Sequence, residues 1–184
     1  YIDSVIRYSN GADIIVADNA SEDDSIGFIR EKDELILIEN SKNYGFAGGY
    51  NEALTKLEGH YDYYILLNSD IEVTENWIGP LIKEMKKDKV AACQPKIKNV
   101  NSKEQFEHAG AAGGYLDKNY FPFCRGRILS EIEIDKGQYD SSQEITWTSG
   151  AAMLIRADLF HKSRGFDADF FAHMEEIDLC LRLG

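Results

Sequence analysis

The chain has 184 residues, 43% of them hydrophobic and 28% charged, which is the composition of an ordinary globular domain with room for one core. Its net charge of −12 excludes a nucleic-acid surface, which needs clustered Lys and Arg, and no apolar run approaches the ~18 residues of a membrane span. Cys93, Cys124 and Cys180 are odd in number and far apart, so no disulfide framework or CxxC zinc site is expected. A reduced, cytoplasmic setting is the simplest expectation. The first residues lack the basic-then-apolar layout of a secretory leader. An acidic chain can still hold a diphosphate where backbone N–H groups, a few cationic side chains or a divalent cation offset the repulsion.

In chain order, Ile2, Val5 and Ile6 read as the tail of an amphipathic helix whose start, with a strand before it, falls ahead of Tyr1. Residues 13–17 are a strand, 18–24 a loop rich in capping residues, 25–32 a short helix and 35–39 a second strand. A glycine-bearing loop over 41–49 leads to a helix over 49–57. The strand at 63–68 follows, then a helix over 77–87 carrying Ile78, Leu81, Ile82 and Met85 at helical spacing, then a strand over 90–97. This βαβαβ rhythm predicts a mostly parallel sheet flanked by helices. From 100 to 143 the periodicity is lost, and hairpins and loops are expected. Order returns with a strand in 145–155, a helix over 157–162, a loop over 163–172 and a final helix to Leu183, which Gly184 can cap while the protein continues beyond it.

Four stretches carry chemistry. A strand ending in Asp18-Asn19 places polar groups at the carboxyl edge of a sheet, where open α/β folds bind ligands; Asp18 suits a base or ribose, while Ser21 or Asp23 suits a helix cap. The glycines of "NYGFAGGYN" (43–51) permit close backbone approach and a helix N-terminus that offers N–H groups to phosphate, although glycines before a helix are also ordinary turn chemistry. The stretch is neither a GxGxxG fingerprint nor a Walker A loop. The strand "YYILLN" (63–68) ends in Asn68-Ser69-Asp70. Those oxygens either close an Asx-turn or wait for Mg²⁺ or Mn²⁺, hard ions that take one or two carboxylates plus substrate phosphates. Finally Glu175, Glu176 and Asp178 crowd the start of the last helix. They favour its positive end, and their mutual repulsion can raise a pKa toward that of a general base. His173 has no second histidine at ligand spacing and reads as a packing or loop residue. Trp147 and the Phe166, Phe170 and Phe171 loop suit either a sugar-facing wall or plain core packing.

In order, "VADNASED" (16–23), "NYGFAGGYN" (43–51), "LLNSDIEV" (66–73), "SGAAMLIR" (149–156), and "GFD" (165–167) with "EEIDL" (175–179) resemble a family 2 glycosyltransferase of the GT-A fold, in its rhamnosyltransferase-like bacterial branch. The resemblance spans nearly the whole chain. It implies one GT-A catalytic domain over 1–184, with a nucleotide-sugar-binding half (1–99) and an acceptor-binding half (100–184), lacking the family's first strand and C-terminal elements. It implies inverting transfer of a hexosyl or rhamnosyl group from a nucleotide-diphosphate sugar to an acceptor hydroxyl, assisted by Mg²⁺ or Mn²⁺, in cell-surface polysaccharide synthesis. The acceptor is a saccharide or lipid-linked saccharide, met at the inner face of the membrane through peripheral contact.

Carried over by position, Asp18, Asn19, Asn43, Gly45, Asn68 and Asp70 meet the nucleotide sugar, with Asp70 the metal ligand. Glu176 matches the catalytic base, with Glu175 beside it, and Trp147 and Asp178 face the acceptor. Two departures stand out: Asn68 opens the metal motif where Asp is common, and Glu176 stands where the base is usually Asp. The rival readings are a non-catalytic nucleotide-sugar-binding module and, with less support, a nucleotidyltransferase, which would want a basic glycine-rich loop that the sequence lacks.

Overall fold

The computed structural model describes residues 1–108 and 110–184. The chain opens with α1 (Ile2–Tyr8), β1 (Ile14–Asp18), α2 (Ser25–Arg30), β2 (Leu35–Glu39) and α3 (Gly45–Thr55). β3 (Tyr63–Leu67), α4 (Ile78–Met85) and the short β4 (Ala92–Cys93) follow. Residues 100–143 include a four-stranded antiparallel meander: β5 (Gly114–Leu116), β6 (Pro122–Cys124), β7 (Arg127–Ile128) and β8 (Glu131–Ile132). The chain then returns through β9 (Ala152–Arg156) and α5 (Ala157–Lys162), a 3-10 turn (Ala168–Phe170) and α6 (Glu175–Leu183).

β1 and β2 pair in parallel from Ile14↔Leu35 to Asp18↔Glu39, as the helix between them requires. β9 lies between β3 and β4 and is antiparallel to both, so β3 and β4 run in one direction and β9 is the reversed strand. It can reverse because the chain reaches it through the meander rather than through a crossover helix. On the other side, β1 and β3 are each the last strand of their ladder.

Three expected boundaries move. The strand over 90–97 shrinks to Ala92–Cys93, because Pro95 has no N–H to give a ladder and the N–H of Ile97 goes instead to the Ala111 carbonyl, 2.8 Å away. The strand over 145–155 begins only at Ala152; before it, Trp147 makes an isolated bridge to Gly114. α3 starts at Gly45 rather than Gly49, so the glycines of 45–49 lie inside the helix.

The core follows from strand alternation. Successive side chains on β9 face opposite sides of the sheet. Met153 and Ile155 enter one cluster with Ala47, Leu54, Phe160 and Leu179 from α3, α5 and α6. Leu154 joins Leu81 and Met85 of α4 on the other side. All three β9 residues are fully buried, which explains an apolar run with no polar alternation; each such side chain contributes about 1.5–3 kcal/mol. Arg156 closes the strand by donating to the carbonyls of Val90 (2.9 Å) and Met85 (2.6 Å), satisfying the last turn of α4.

Candidate functional site

The ends of β1, β2 and β3 meet a single cleft of about 1090 Å³. Its apolar length runs along four successive β1 residues (14–17) and past Ile65 and Leu67 of β3. Neighbouring strand residues face opposite ways, so contact with all four means that the cleft runs along the open edge of β1 rather than over one face. Its polar end holds Asn19, Asp23, Asn40, Asn68, Ser69 and Asp70. Among the described lining residues there is no Lys or Arg, whereas Asp13, Asp23, Asp24 and Asp70 all contribute. An anion entering here therefore meets a negative field unless a cation accompanies it.

Asp18 is buried at the end of β1, and its Oδ2 accepts the Ser21 N–H at 3.1 Å. Asn19 is a hub. Its Nδ2 donates to Asn43 Oδ1 (3.0 Å) and the Gly45 carbonyl (2.9 Å), while its Oδ1 accepts from Tyr44 N (3.2 Å) and Asn40 Nδ2 (3.3 Å). Asn43 Oδ1 also accepts the Gly45 N–H at 2.8 Å. The Asn19 amide thus fastens the end of β1 to the start of α3, and the same bonds occupy Asn43.

Asn40, which sequence reasoning missed, completes this knot from the end of β2. It is buried, its Nδ2 donates to Asn19 and to the Gly49 carbonyl (3.2 Å), and its Oδ1 has no partner. An unbonded buried amide oxygen costs about 1–3 kcal/mol, so this residue of the cleft wall keeps an unmet acceptor just beneath the surface. The signal was present: Asn40 directly follows a strand, as Asn19 and Asn68 do.

The expectation that the N-terminus of α3 offers its amides to a phosphate is corrected. The Phe171 carbonyl accepts both Phe46 N (2.8 Å) and Ala47 N (3.4 Å). Gly45, at φ +73°, permits this approach, since a Cβ there would stand 2.6 Å from the Phe171 ring. Phe171 itself has φ 55° and ψ −57°, with Ala172 N bonded to the Phe170 carbonyl at 2.5 Å; this is the rare positive-φ γ-turn. The loop of 168–174 thus packs its backbone into the start of α3.

Asn68 and Asp70 stand at the tip of β3. Asn68 N donates to the Ala151 carbonyl (3.0 Å) and its own carbonyl accepts from Ile71 N (3.2 Å), so the segment is a turn whose side chains remain available. Asp70 is exposed in the cleft mouth. Tyr50 hooks α3 to the same strand end by donating to the Leu67 carbonyl (3.3 Å), and burial pushes its phenol up to about 12.

Glu175 and Glu176 begin α6. Glu175 is buried, Glu176 half-buried, and each has an Oε2 shut from solvent with no hydrogen-bond partner. Burial holds the Glu176 carboxyl above its ordinary range, and the neighbouring Glu175 charge adds to the shift. Glu176 Cβ lies 3.7 Å from where a Gly150 side chain would begin. Gly150 adjoins Ala151, which holds Asn68. The strand tip and the carboxylate pair are therefore bridged by two residues of the segment leading into β9.

Trp147 and Asp178, expected on the acceptor side, are both engaged within the fold. Trp147 is buried, donates its indole N–H to the Tyr115 carbonyl (3.0 Å), and lies where any Gly114 side chain would be; it serves the core because its only polar atom is already bonded. Asp178 pairs with Arg182 at 2.7 Å, and Arg182 donates onward to the Ser163 and Gly165 carbonyls. That carboxylate orients the arginine holding the loop before the 3-10 turn.

No group of three His, Cys, Asp or Glu side chains among the described residues forms a metal cage. The oxygen donors of Asn68 and Asp70 instead fit a hard cation completed by phosphate and water, in a cleft end with no cationic side chain of its own.

Comparison with known proteins gives this geometry a setting. The crystal structure of GalNAc-T7 with UDP, GalNAc and Mn²⁺ superposes with a TM-score of 0.68 over 99% of this chain and 37% of that one, at 15% identity, which establishes the GT-A α/β fold. The rhamnosyltransferase WbbL of Escherichia coli (strain K12) is 26% identical over 203 residues, covering all of this chain and 72% of its own. The N-acetylglucosaminyl-diphospho-decaprenol L-rhamnosyltransferase of Mycobacterium tuberculosis is 22% identical over 93% of this chain and 60% of its own. The chain thus spans somewhat under three quarters of these two relatives at most. Residues 1–163 match glycosyl transferase family 2, and with the fold in agreement the chain belongs to that family.

Proposed function

We propose that the chain is the donor-binding and catalytic part of an inverting glycosyltransferase, which moves a hexosyl or rhamnosyl group from a nucleotide-diphosphate sugar to an acceptor hydroxyl. The bridged arrangement of Asn68 and Asp70 with Glu176 carries the proposal, because it brings a cation-binding strand tip and a poised carboxylate to one region. Asp18 and Asn40 bind the nucleoside end, Asn40 from the wall of the cleft, while the Asn19 and Asn43 amides hold the strand ends in register. Asp70, with Asn68, holds Mg²⁺ or Mn²⁺; when bound, that cation neutralises the diphosphate and stabilises the charge on the leaving group. Glu176 accepts the acceptor hydroxyl proton. Its raised affinity for protons suits a general base, and Glu175 helps to maintain it. Phe170 and Phe171, both exposed, supply the apolar wall for the acceptor that Trp147 does not.

The names of the rhamnosyltransferase relatives, one of them acting on a decaprenol-linked saccharide, support L-rhamnose as donor sugar and a lipid-linked acceptor, and a relative named as an O-antigen biosynthesis protein supports a place in surface-polysaccharide synthesis. The test is turnover of nucleotide-rhamnose with such an acceptor and Mn²⁺ by the full-length protein and its Glu176→Gln variant. Transfer lost while donor binding persists supports the reading. Equal turnover by the variant, or loss only in Glu175→Gln, refutes the assignment of the base. Donor binding without turnover in the unaltered protein favours the non-catalytic module.

A further inference from the structure

The meander of β5 to β8 has two unlike ends. At one end the Arg125-Gly126 turn is sunk against the core: Gly126 is buried, and a Cβ on it would stand 2.7 Å from the Phe106 ring, itself fully buried. At the opposite end the β5–β6 and β7–β8 turns project side by side, because strands of a meander alternate in direction. These two tips carry the most exposed large apolar side chains of the described residues: Leu129 at 82%, Tyr120 at 79% and Phe121 at 68%. Behind them Phe123 and Ile128, which the Cys124↔Arg127 register sets opposite each other, continue the apolar surface at 38% and 59% exposure.

Contiguous exposed apolar surface of this kind marks a contact. Its shape is that of two narrow projecting turns, which enter a soft phase rather than line a groove. Its chemistry is Tyr, Phe, Leu and Ile, the residues that settle at a lipid–water boundary. Its charge differs from the rest of the molecule: residues 114–132, the whole meander, hold three cationic side chains (Lys118, Arg125 and Arg127) against two carboxylates (Asp117 and Glu131), in a chain of net charge −12. Lys118 is exposed on the first tip, where it can meet headgroup phosphates.

We propose that the two tips, Tyr120-Phe121 and Ile128-Leu129, form a peripheral membrane-docking surface that inserts into the headgroup boundary of a bilayer. The proposal deepens the reading above, which supplies the reason for a lipid partner: a lipid-linked acceptor is presented at a bilayer. The rest of the acidic surface opposes anionic lipid, so the contact is driven by apolar insertion and survives added salt.

The experiment is flotation of the protein with vesicles of phosphatidylethanolamine and phosphatidylglycerol, for the unaltered chain and for Tyr120→Asn/Phe121→Ser/Leu129→Asn. Asn suits positions 120 and 129, whose φ values are 66° and 54°. Partitioning should fall on the order of tenfold for each apolar side chain removed, with the melting temperature unchanged. As a second readout independent of any loss of folding, Tyr120→Trp should show a blue-shifted emission when vesicles are added.

The proposal is overturned by equal flotation of the triple variant, by no flotation of the unaltered chain, by loss of binding in high salt, or by an unshifted tryptophan. It is equally overturned if the triple substitution abolishes a concentration-dependent dimer, which would make a second copy the occupant. Donor binding and turnover on a soluble saccharide acceptor test the catalytic reading separately. Their failure beside successful flotation would remove the glycosyltransfer mechanism and leave the docking surface standing.

Discussion

Replacing Gly45 by Ala tests whether the 168–174 loop is locked to the start of α3. Gly45 has φ +73°, and an added methyl would meet the Phe171 ring at 2.6 Å and its carbonyl at 2.7 Å, both too close for any real contact. The backbone conformation alone costs an L-residue about 1–2 kcal/mol, and forcing an extra methyl into a packed site costs about 1–3 kcal/mol more. The two together come to about 2–5 kcal/mol, and the middle of that range, about 3.5 kcal/mol, lowers the melting temperature of a chain of this size by roughly 7–14 °C. Gly59 provides the control, since it has φ +80° with nothing within 4 Å of its would-be Cβ. Gly59→Ala carries that backbone cost of about 1–2 kcal/mol without the clash and should lose roughly 2–8 °C. The assay is thermal unfolding followed by circular dichroism, with hydrogen exchange at Phe46 and Ala47 as the local readout. If Gly45→Ala melts no lower than Gly59→Ala, the Phe171 carbonyl does not seat where the structure places it.

Three further outcomes follow from the site and its surroundings. Glu176 has a folded pKa raised above the ordinary 4.5, so its contribution to stability is fully present below that value and is lost as pH rises through the folded pKa. Glu176→Gln should therefore melt higher than the unaltered protein at pH 7, with the gap closing below pH 4.5; a constant gap across a pH series would deny the burial argument. Asp135 behaves in the opposite sense. Lys96 foremost, with Lys98, holds it at about 2 rather than 3.8, so its stabilisation is present above 3.8 and lost as pH falls toward 2. Asp135→Asn should be less stable at pH 7 and converge on the unaltered protein by pH 2, as acid titration followed by fluorescence would show. Trp147→Ala should cost about 3–5 kcal/mol of stability in urea unfolding; normal stability with weakened acceptor binding would return Trp147 to the acceptor wall.

The residues that end strands were the legible part of the site. Asp18, Asn68 and Asp70 announce themselves because an apolar run breaks into short oxygen-bearing side chains, and that break needs no long-range information. Asn40 obeys the same rule after β2, but a single amide followed by Ser41-Lys42-Asn43 does not stand out from an ordinary polar loop. The antiparallel course of β9 was not legible, since a fully buried strand shows no alternation and its direction is set by the meander that precedes it. The Phe171 carbonyl on α3 lies beyond sequence reading altogether: residues over 120 positions apart meet there, through φ values that side-chain type alone does not predict. Trp147 suited both a wall and a core in sequence, and its bonded indole N–H decided for the core.

On the proposed function, this acidic cleft binds a nucleotide diphosphate only with a divalent cation at Asp70. Calorimetric titration of the full-length protein with dTDP, UDP and GDP, each with Mn²⁺ and then with chelator, addresses it directly. One of these nucleotides should bind with Mn²⁺, chelation should abolish the binding, and Asp70→Asn should lose it while its melting temperature is unchanged. Binding that persists in chelator and is equal in Asp70→Asn would contradict it.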